Sequence, residues 1–137
     1  DLEEKDRVLE VGTGSGYQAA ILGELVEEVY TVEIVEELCQ SARERLHDLG
    51  YDNVKVRCDD GYHGWEEHAP YDGIIVTCAP DHIPQPLVDQ LAEGGRMVLP
   101  VGPPGSYQSL WLVLRKAGEI TSERLMGVAF VPLTGEH

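Results

Sequence analysis

The chain has 137 residues, is 42% hydrophobic, and carries 10 Lys and Arg against 25 Asp and Glu, a formal net charge of −15. Length and apolar content suit a single folded domain over residues 1–137 and exclude a disordered tail. The acidity argues against a nucleic-acid groove, which needs clustered cations to displace counterions; Arg43 and Arg45 come closest to a cluster, on a segment rich in Glu.

No apolar run reaches the roughly 18–20 residues of a membrane span, and no basic segment followed by an apolar stretch marks a leader. The expected state is a monomer with neither nucleic acid nor membrane as partner. Three cysteines, Cys39, Cys58 and Cys78, are odd in number, widely spaced and without a Cys-x-x-Cys pair. That usage fits a reducing, cytoplasmic location and argues against a disulfide framework or a zinc site. His63 and His68 flank Trp65 without metal-ligand spacing, so no metal is expected.

In chain order, Arg7 to Val11 is a short apolar run ending in glycines and reads as a strand. Tyr17 to Leu25 reads as a helix, and the β-branched run Val29 to Glu33 as a second strand. Val35 to Leu49 places Leu38, Ala42, Leu46 and Leu49 at helical spacing, with Gly50 where a left-handed cap is expected. Val54 to Cys58 is a third strand, and Asp59 to Pro70 is polar and irregular. Tyr71 to Thr77 is nearly continuously apolar, as strands buried on both faces are. A helix over Pro84 to Leu91, with Gly94-Gly95 past its end, precedes a fifth strand over Arg96 to Val101. After a turn at Pro103-Pro104-Gly105, Leu110 to Arg115 and Thr121 to Val131 read as a closing antiparallel hairpin about Ala117-Gly118. Strand alternating with helix predicts an α/β, doubly wound, mostly parallel sheet, with ligands beyond the carboxyl ends of its strands.

The candidate site residues follow those strands. Glu10-Val11-Gly12-Thr13-Gly14-Ser15-Gly16 joins the first strand to the first helix. Gly12 and Gly14 let the backbone turn sharply and approach a ligand, and the helix beginning near Gly16 aims its free amides at the same place. Dinucleotide folds place a third glycine three residues after the second; here Gly16 falls two after, and Glu10 precedes the first glycine by two. A generic glycine-rich turn is the competing reading. Glu33, 21 residues past Gly12, sits where an acid accepts from ribose hydroxyls, a device NAD enzymes share. Ile34 beside it can pack on an adenine face or be an ordinary helix-entry residue. Asp60 and Gly61, after the third strand, can meet the adenine amino group or form a plain turn.

The E-x-G-x-G-x-G form resembles motif I of class I methyltransferases, and longer stretches resemble the isoaspartyl methyltransferase family. These include Val8 to Ala20, Tyr30-Thr31-Val32-Glu33, Asp60-Gly61-Tyr62-His63-Gly64-Trp65, Gly94 to Pro103 and Phe130-Val131-Pro132-Leu133-Thr134-Gly135. The resemblance implies a Rossmann-like fold and methyl transfer from S-adenosylmethionine to the α-carboxyl of isoaspartyl residues in damaged proteins or peptides, a repair reaction. It implies that Glu10, Gly12, Gly14 and Gly16 hold the methionine end, Glu33 the ribose, and Asp60 with Gly61 the adenine. Thr134 then lies near the cofactor, and the substrate peptide near Ala79 and Val131. The substrate carboxylate is the nucleophile and is already ionised near pH 7, so no catalytic base is assigned. Two departures stand out: Asp59 occupies a position where the family usually has Gly, and the family's upstream region, with the serine assigned to catalysis, does not precede the first strand. A chain lacking that region is expected to keep cofactor-binding elements with little or no activity. The rival readings are an NAD-dependent oxidoreductase, against which the glycine spacing speaks; a methyltransferase of another substrate; and a non-catalytic binding module. A base-modifying enzyme would favour Asn-Pro-Pro-Tyr or Asp-Pro-Pro-Tyr where this chain has Thr77-Cys78-Ala79-Pro80.

Overall fold

The computed structural model describes residues 5–12, 16–77, 80, 82–102 and 108–128. Its elements are β1 (Arg7–Val11), α1 (Tyr17–Leu25), β2 (Glu28–Glu33), α2 (Glu36–Asp48), β3 (Val54–Cys58), β4 (Tyr71–Val76), α3 (Gln85–Asp89), β5 (Leu91–Val101), β6 (Gln108–Lys116) and β7 (Glu119–Val128). Single 3-10 turns at Gly61–His63 and Glu66–His68 organise the irregular segment between β3 and β4. The sheet order is β3-β2-β1-β4-β5-β6-β7; β1 to β5 run parallel, and β6 and β7 close the edge as an antiparallel hairpin. The predicted sheet and hairpin are both present.

Each face of the sheet buries its own apolar layer. Val8, Val29 and Val54 alternate toward α1 and α2, where they meet Ala19, Leu22 and Leu46. On the other face, Leu9, Val11, Val32, Ile74, Met97 and Leu99 pack with α3. Strands flanked in this way carry apolar residues on both faces, which is why β1 and β4 read as continuous apolar runs. Tyr71 is the largest fully buried side chain among the described residues, and its hydroxyl donates to the Trp65 carbonyl. Burial raises the Tyr71 phenol well above its usual range.

Two sequence expectations are corrected. The first concerns α3, which ends at Asp89, while β5 begins at Leu91 rather than Arg96. Tyr71 pairs with Leu91 and Gly73 with Arg96, so β5 carries a bulge between those pairs, and Gly94 turns in it at φ 80°. The glycine pair therefore accommodates a bulge and is not a helix stop. The second concerns the cysteines: Cys39 and Cys58, 19 residues apart, form a disulfide. Wide spacing in sequence hid a short distance in space, because the end of β3 lies beside the start of α2.

Candidate cofactor-binding site

Strand order reverses beside β1: β2 and β3 extend to one side and β4 follows on the other. That is the place where open parallel sheets form a ligand crevice beyond their strand ends. Gly12 closes β1 with φ 101°, a left-handed conformation that disfavours any side chain. Its N–H donates to the Val32 carbonyl at 2.8 Å. Just past β4, the Thr77 hydroxyl donates toward the Val11 carbonyl at 3.1 Å and that of Gly12 at 3.0 Å, so Gly12 is pinned from both sides. Gly16, at φ 88°, is the N-cap of α1, and no side chain among the described residues caps that helix. A Cβ on Gly16 would sit 3.4 Å from the Ala42 Cβ, so the glycine also lets α1 approach α2 closely.

Glu10 is fully buried. The Thr31 hydroxyl donates to its Oε1 at 2.6 Å, while Oε2 has no hydrogen-bond partner among the described residues. Burial pushes this carboxyl up to about 7, partly offset by the Thr31 hydrogen bond and reinforced by the charge of Glu33. A buried carboxylate oxygen without a donor, two residues from Gly12, suits a cationic ligand group such as an ammonium or sulfonium.

Glu33 ends β2 at 8% exposure. Its Oε2 accepts the Val35 N–H at 3.0 Å, which fixes the carboxylate at the entry to α2. Ile34 beside it is half-buried. The Glu33 carbonyl accepts the Asp59 N–H at 3.1 Å, so the residues following β2 and β3 are tied together. Asp60 caps the following turn, its Oδ1 accepting the Tyr62 N–H at 3.0 Å. Gly61 is buried, and a Cβ there would run into the Val11 side chain. Asp60-Gly61 is thus a capped turn packed directly on the end of β1. The Asp59 carboxylate pairs with Arg57 at 3.0 Å, which offsets the charge this residue adds.

The structure thus places Glu10, Gly12, Gly16, Glu33, Ile34, Asp60 and Gly61 at or beside the carboxyl ends of three adjacent parallel strands. Gly14, Ala79, Val131 and Thr134 lie outside the described residues, as does Cys78. A groove of about 560 Å³ lies toward the start of β3, lined by Tyr30, Tyr51, Lys55, Trp65 and His68 among others; no candidate site residue borders it. Among the described residues there is no cluster of three or more potential metal ligands. No helix among them is long and apolar enough to cross a membrane.

Sequence reasoning missed Thr31 and Thr77 as partners of the site, and also Gln90. Gln90 is 5% exposed; its Oε1 accepts the Trp65 N–H at 2.9 Å and its Nε2 donates to the His63 carbonyl at 2.8 Å. Gly64, at φ 64°, leaves room for that carboxamide. Gln90→Leu strands two part-buried backbone groups and is expected to cost about 1–3 kcal/mol. Urea unfolding checks this, and a loss under 1 kcal/mol would contradict it.

A Rossmann-like sheet with an acidic residue near the end of β1 and a glycine-rich sequence after it, an acid at the end of β2 and an Asp-Gly turn after β3 defines the class I methyltransferase fold. The model of the protein-L-isoaspartate(D-aspartate) O-methyltransferase family matches residues 1–137, and the chain belongs to that family. It is 62% identical over 131 residues to protein-L-isoaspartate O-methyltransferase 2 of Syntrophobacter fumaroxidans, covering 95% of this chain and 53% of that protein. The corresponding protein of Polaromonas sp. is 58% identical over 137 residues, covering 99% of this chain and 65% of that one. The chain therefore spans about half to two thirds of the length of these relatives. A solved protein-L-isoaspartate O-methyltransferase superposes with a TM-score of 0.91 at 33% identity, covering 98% of this chain and 44% of that one. A second structure, described as a putative protein-L-isoaspartate O-methyltransferase from Plasmodium falciparum in complex with S-adenosyl-L-homocysteine, gives a TM-score of 0.78 at 28% identity, covering 96% of this chain and 67% of that one.

Proposed function

We propose that this chain binds S-adenosylmethionine and forms the cofactor-holding part of an enzyme that methylates the α-carboxyl of L-isoaspartyl residues in damaged proteins and peptides. The observation that carries the reading is the buried Glu10 Oε2, without a hydrogen-bond partner among the described residues and two residues from Gly12. Bound S-adenosylmethionine supplies a methyl group on a sulfonium, an electrophile with a good leaving group.

The residues supply position and charge. Glu10 offers its unpartnered oxygen to the cationic amino-acid end. Gly12, Gly14 and Gly16 bring backbone close to that end. Glu33 accepts from the ribose hydroxyls with the carboxylate that Val35 holds in place. Asp60 accepts from the adenine amino group, with Gly61 and Ile34 beside the ring. Thr134 lies near the cofactor in this reading, and Ala79 and Val131 near the peptide. The substrate carboxylate, with an ordinary pKa of about 4, needs no base at pH 7. Alignment and exclusion of water are what remain for the protein to provide.

We place the protein in the cytoplasm, as a monomer, with isoaspartyl proteins as partners and no nucleic acid. The chain spans 53% of the length of the first relative, so the activity of the whole protein is tested with a family N-terminal region supplied. A cofactor-binding fragment without activity is the second reading, favoured by coverage of 53% of the first relative. The test uses labelled S-adenosylmethionine with isoaspartyl and aspartyl forms of one peptide, assayed with the chain alone and fused to a family N-terminal region. Transfer by the fusion to the isoaspartyl form alone supports the repair reading. Equal labelling of both peptides, or a fusion that binds cofactor but never transfers, contradicts it. A chain alone as active as the fusion removes the need for the upstream region.

A further inference from the structure

The disulfide stands at the point where two ligand-holding segments meet. Cys58 is the last residue of β3, in register with Glu33 and two residues before Asp60. Cys39 is buried in α2, six residues after Glu33, and its N–H donates to the Val35 carbonyl at 2.9 Å. Val35 is also the residue whose N–H holds the Glu33 carboxylate. The bond therefore ties the helix that anchors Glu33 to the strand end that presents Asp60.

The surroundings suit sulfur chemistry. Arg43 Nη2 lies 3.6 Å from Cys58 Sγ and 4.0 Å from Cys39 Sγ, and it also donates to the Val56 carbonyl at 2.8 Å, which keeps it in place. Gln40 Nε2 approaches Cys58 Sγ at 3.8 Å. A guanidinium within reach of both sulfurs suits exchange, in which a negatively charged sulfur attacks and another leaves. Cys58 is half-buried and reachable, whereas Cys39 is enclosed, which orders the steps.

We propose that Cys39 and Cys58, with Arg43 and Gln40, form a reversible thiol–disulfide exchange site that reacts with low-molecular-weight disulfides and thiols and thereby tunes the nucleoside end of the cofactor site. In the oxidising direction, Cys58 loses its proton and its thiolate attacks an external disulfide. A Cys58–S bond forms, the external S–S bond breaks, and one thiolate departs. Cys39 then loses its proton and attacks Cys58 Sγ; the intramolecular bond forms and the second external thiolate leaves. Two protons and two electrons pass to the external disulfide, which becomes two thiols, while two cysteines become one cystine. A thiol reverses both steps. In a reducing compartment such disulfides are transient and serve sensing, which accords with the cytoplasmic reading. Oxidation restrains the residues around Glu33 and Asp60 before a ligand arrives, so the oxidised form binds the nucleoside more tightly.

The cofactor part of this proposal rests on the reading under Proposed function, and the experiment separates the two. The chain is equilibrated in reduced and oxidised glutathione mixtures, the cysteines are mapped by peptide mass spectrometry, and amide exchange is followed over residues 33–37 and 57–61. The expected result is a Cys39–Cys58 peptide that appears and disappears with the glutathione ratio, with slower exchange of both segments in the oxidised state. S-adenosylhomocysteine titration of the two states is expected to give at least threefold tighter binding to the oxidised one. The C39S/C58S double variant keeps the reduced affinity in either mixture. Arg43→Gln forms the same bond but exchanges at least fivefold more slowly. Failure of the bond to form, or formation with unchanged amide exchange and affinity, overturns the proposal. Absence of S-adenosylhomocysteine binding in both states counts against the cofactor reading, while mapping and exchange still decide whether the site is reversible and restraining.

Discussion

Glu10→Gln is expected to make the unliganded chain more stable and the liganded chain weaker. The Glu10 carboxyl has an ordinary value of 4.5 and is pushed up to about 7 in the fold, chiefly by burial. Between those values the native state holds a proton that the unfolded state releases, so stability falls as pH rises through that window. The full shift corresponds to a loss of about 3 kcal/mol above pH 7. Glutamine keeps the acceptor for Thr31 and removes the charge, so the variant escapes this loss. Urea unfolding is expected to show the variant ahead by up to about 3 kcal/mol at pH 8 and by much less at pH 5. Affinity moves the other way. A charge-assisted contact is worth about 1.5–3 kcal/mol, so S-adenosylhomocysteine binding at pH 8 weakens by roughly 10- to 100-fold. In the parent chain, affinity falls as pH drops below about 7, because the ligand's ammonium selects the ionised form. A variant less stable than the parent at pH 8 would show that Glu10 is a structural carboxylate.

Glu33→Ala is expected to produce the larger loss of affinity. Two ribose hydroxyls donating to one carboxylate contribute about 1.5–3 kcal/mol each, so S-adenosylhomocysteine binding weakens by about 100-fold or more. The same change removes the acceptor for the Val35 N–H at the start of α2, which costs about 1 kcal/mol of stability. An S-adenosylhomocysteine analogue without the ribose hydroxyls separates the two effects. The parent and the variant are expected to bind that analogue equally. A loss that persists with the analogue would mean that Glu33 acts only through the helix entry.

Local patterns made most of this fold legible. The limits of β1, α1 and β3 fall where the apolar runs and glycines place them, because each of these segments is a short unit whose own pattern decides its state. The start of β5 was not legible: Leu87, Val88 and Leu91 form a helix-like apolar run, and only pairing with Tyr71 turns Leu91 into strand. The positions of Glu10, Gly12, Glu33 and Asp60 were readable because a parallel sheet brings successive strand ends together whatever the loops contain. What holds those residues was not readable. Thr31 reaches Glu10 across a strand pair, Thr77 reaches Gly12 from just past β4, and Gln90 reaches two carbonyl-and-amide partners in a distant turn. Each of these contacts joins residues at least 20 apart in sequence, where spacing carries no signal. The Cys39–Cys58 bond was missed for the same reason: counting cysteines describes a compartment and says nothing of the neighbours the fold creates.

Glu10, Gly12, Gly14, Gly16, Glu33 and Asp60 are expected to form one nucleoside site with a cation-accepting end. Calorimetric titration of the chain with S-adenosylhomocysteine, with NAD as the control ligand, tests it most directly. Saturable one-to-one binding of S-adenosylhomocysteine is expected and none of NAD, whose pyrophosphate has no place beside a buried carboxylate. Binding of NAD in preference, or of neither ligand by a chain whose unfolding transition shows it to be folded, would contradict it.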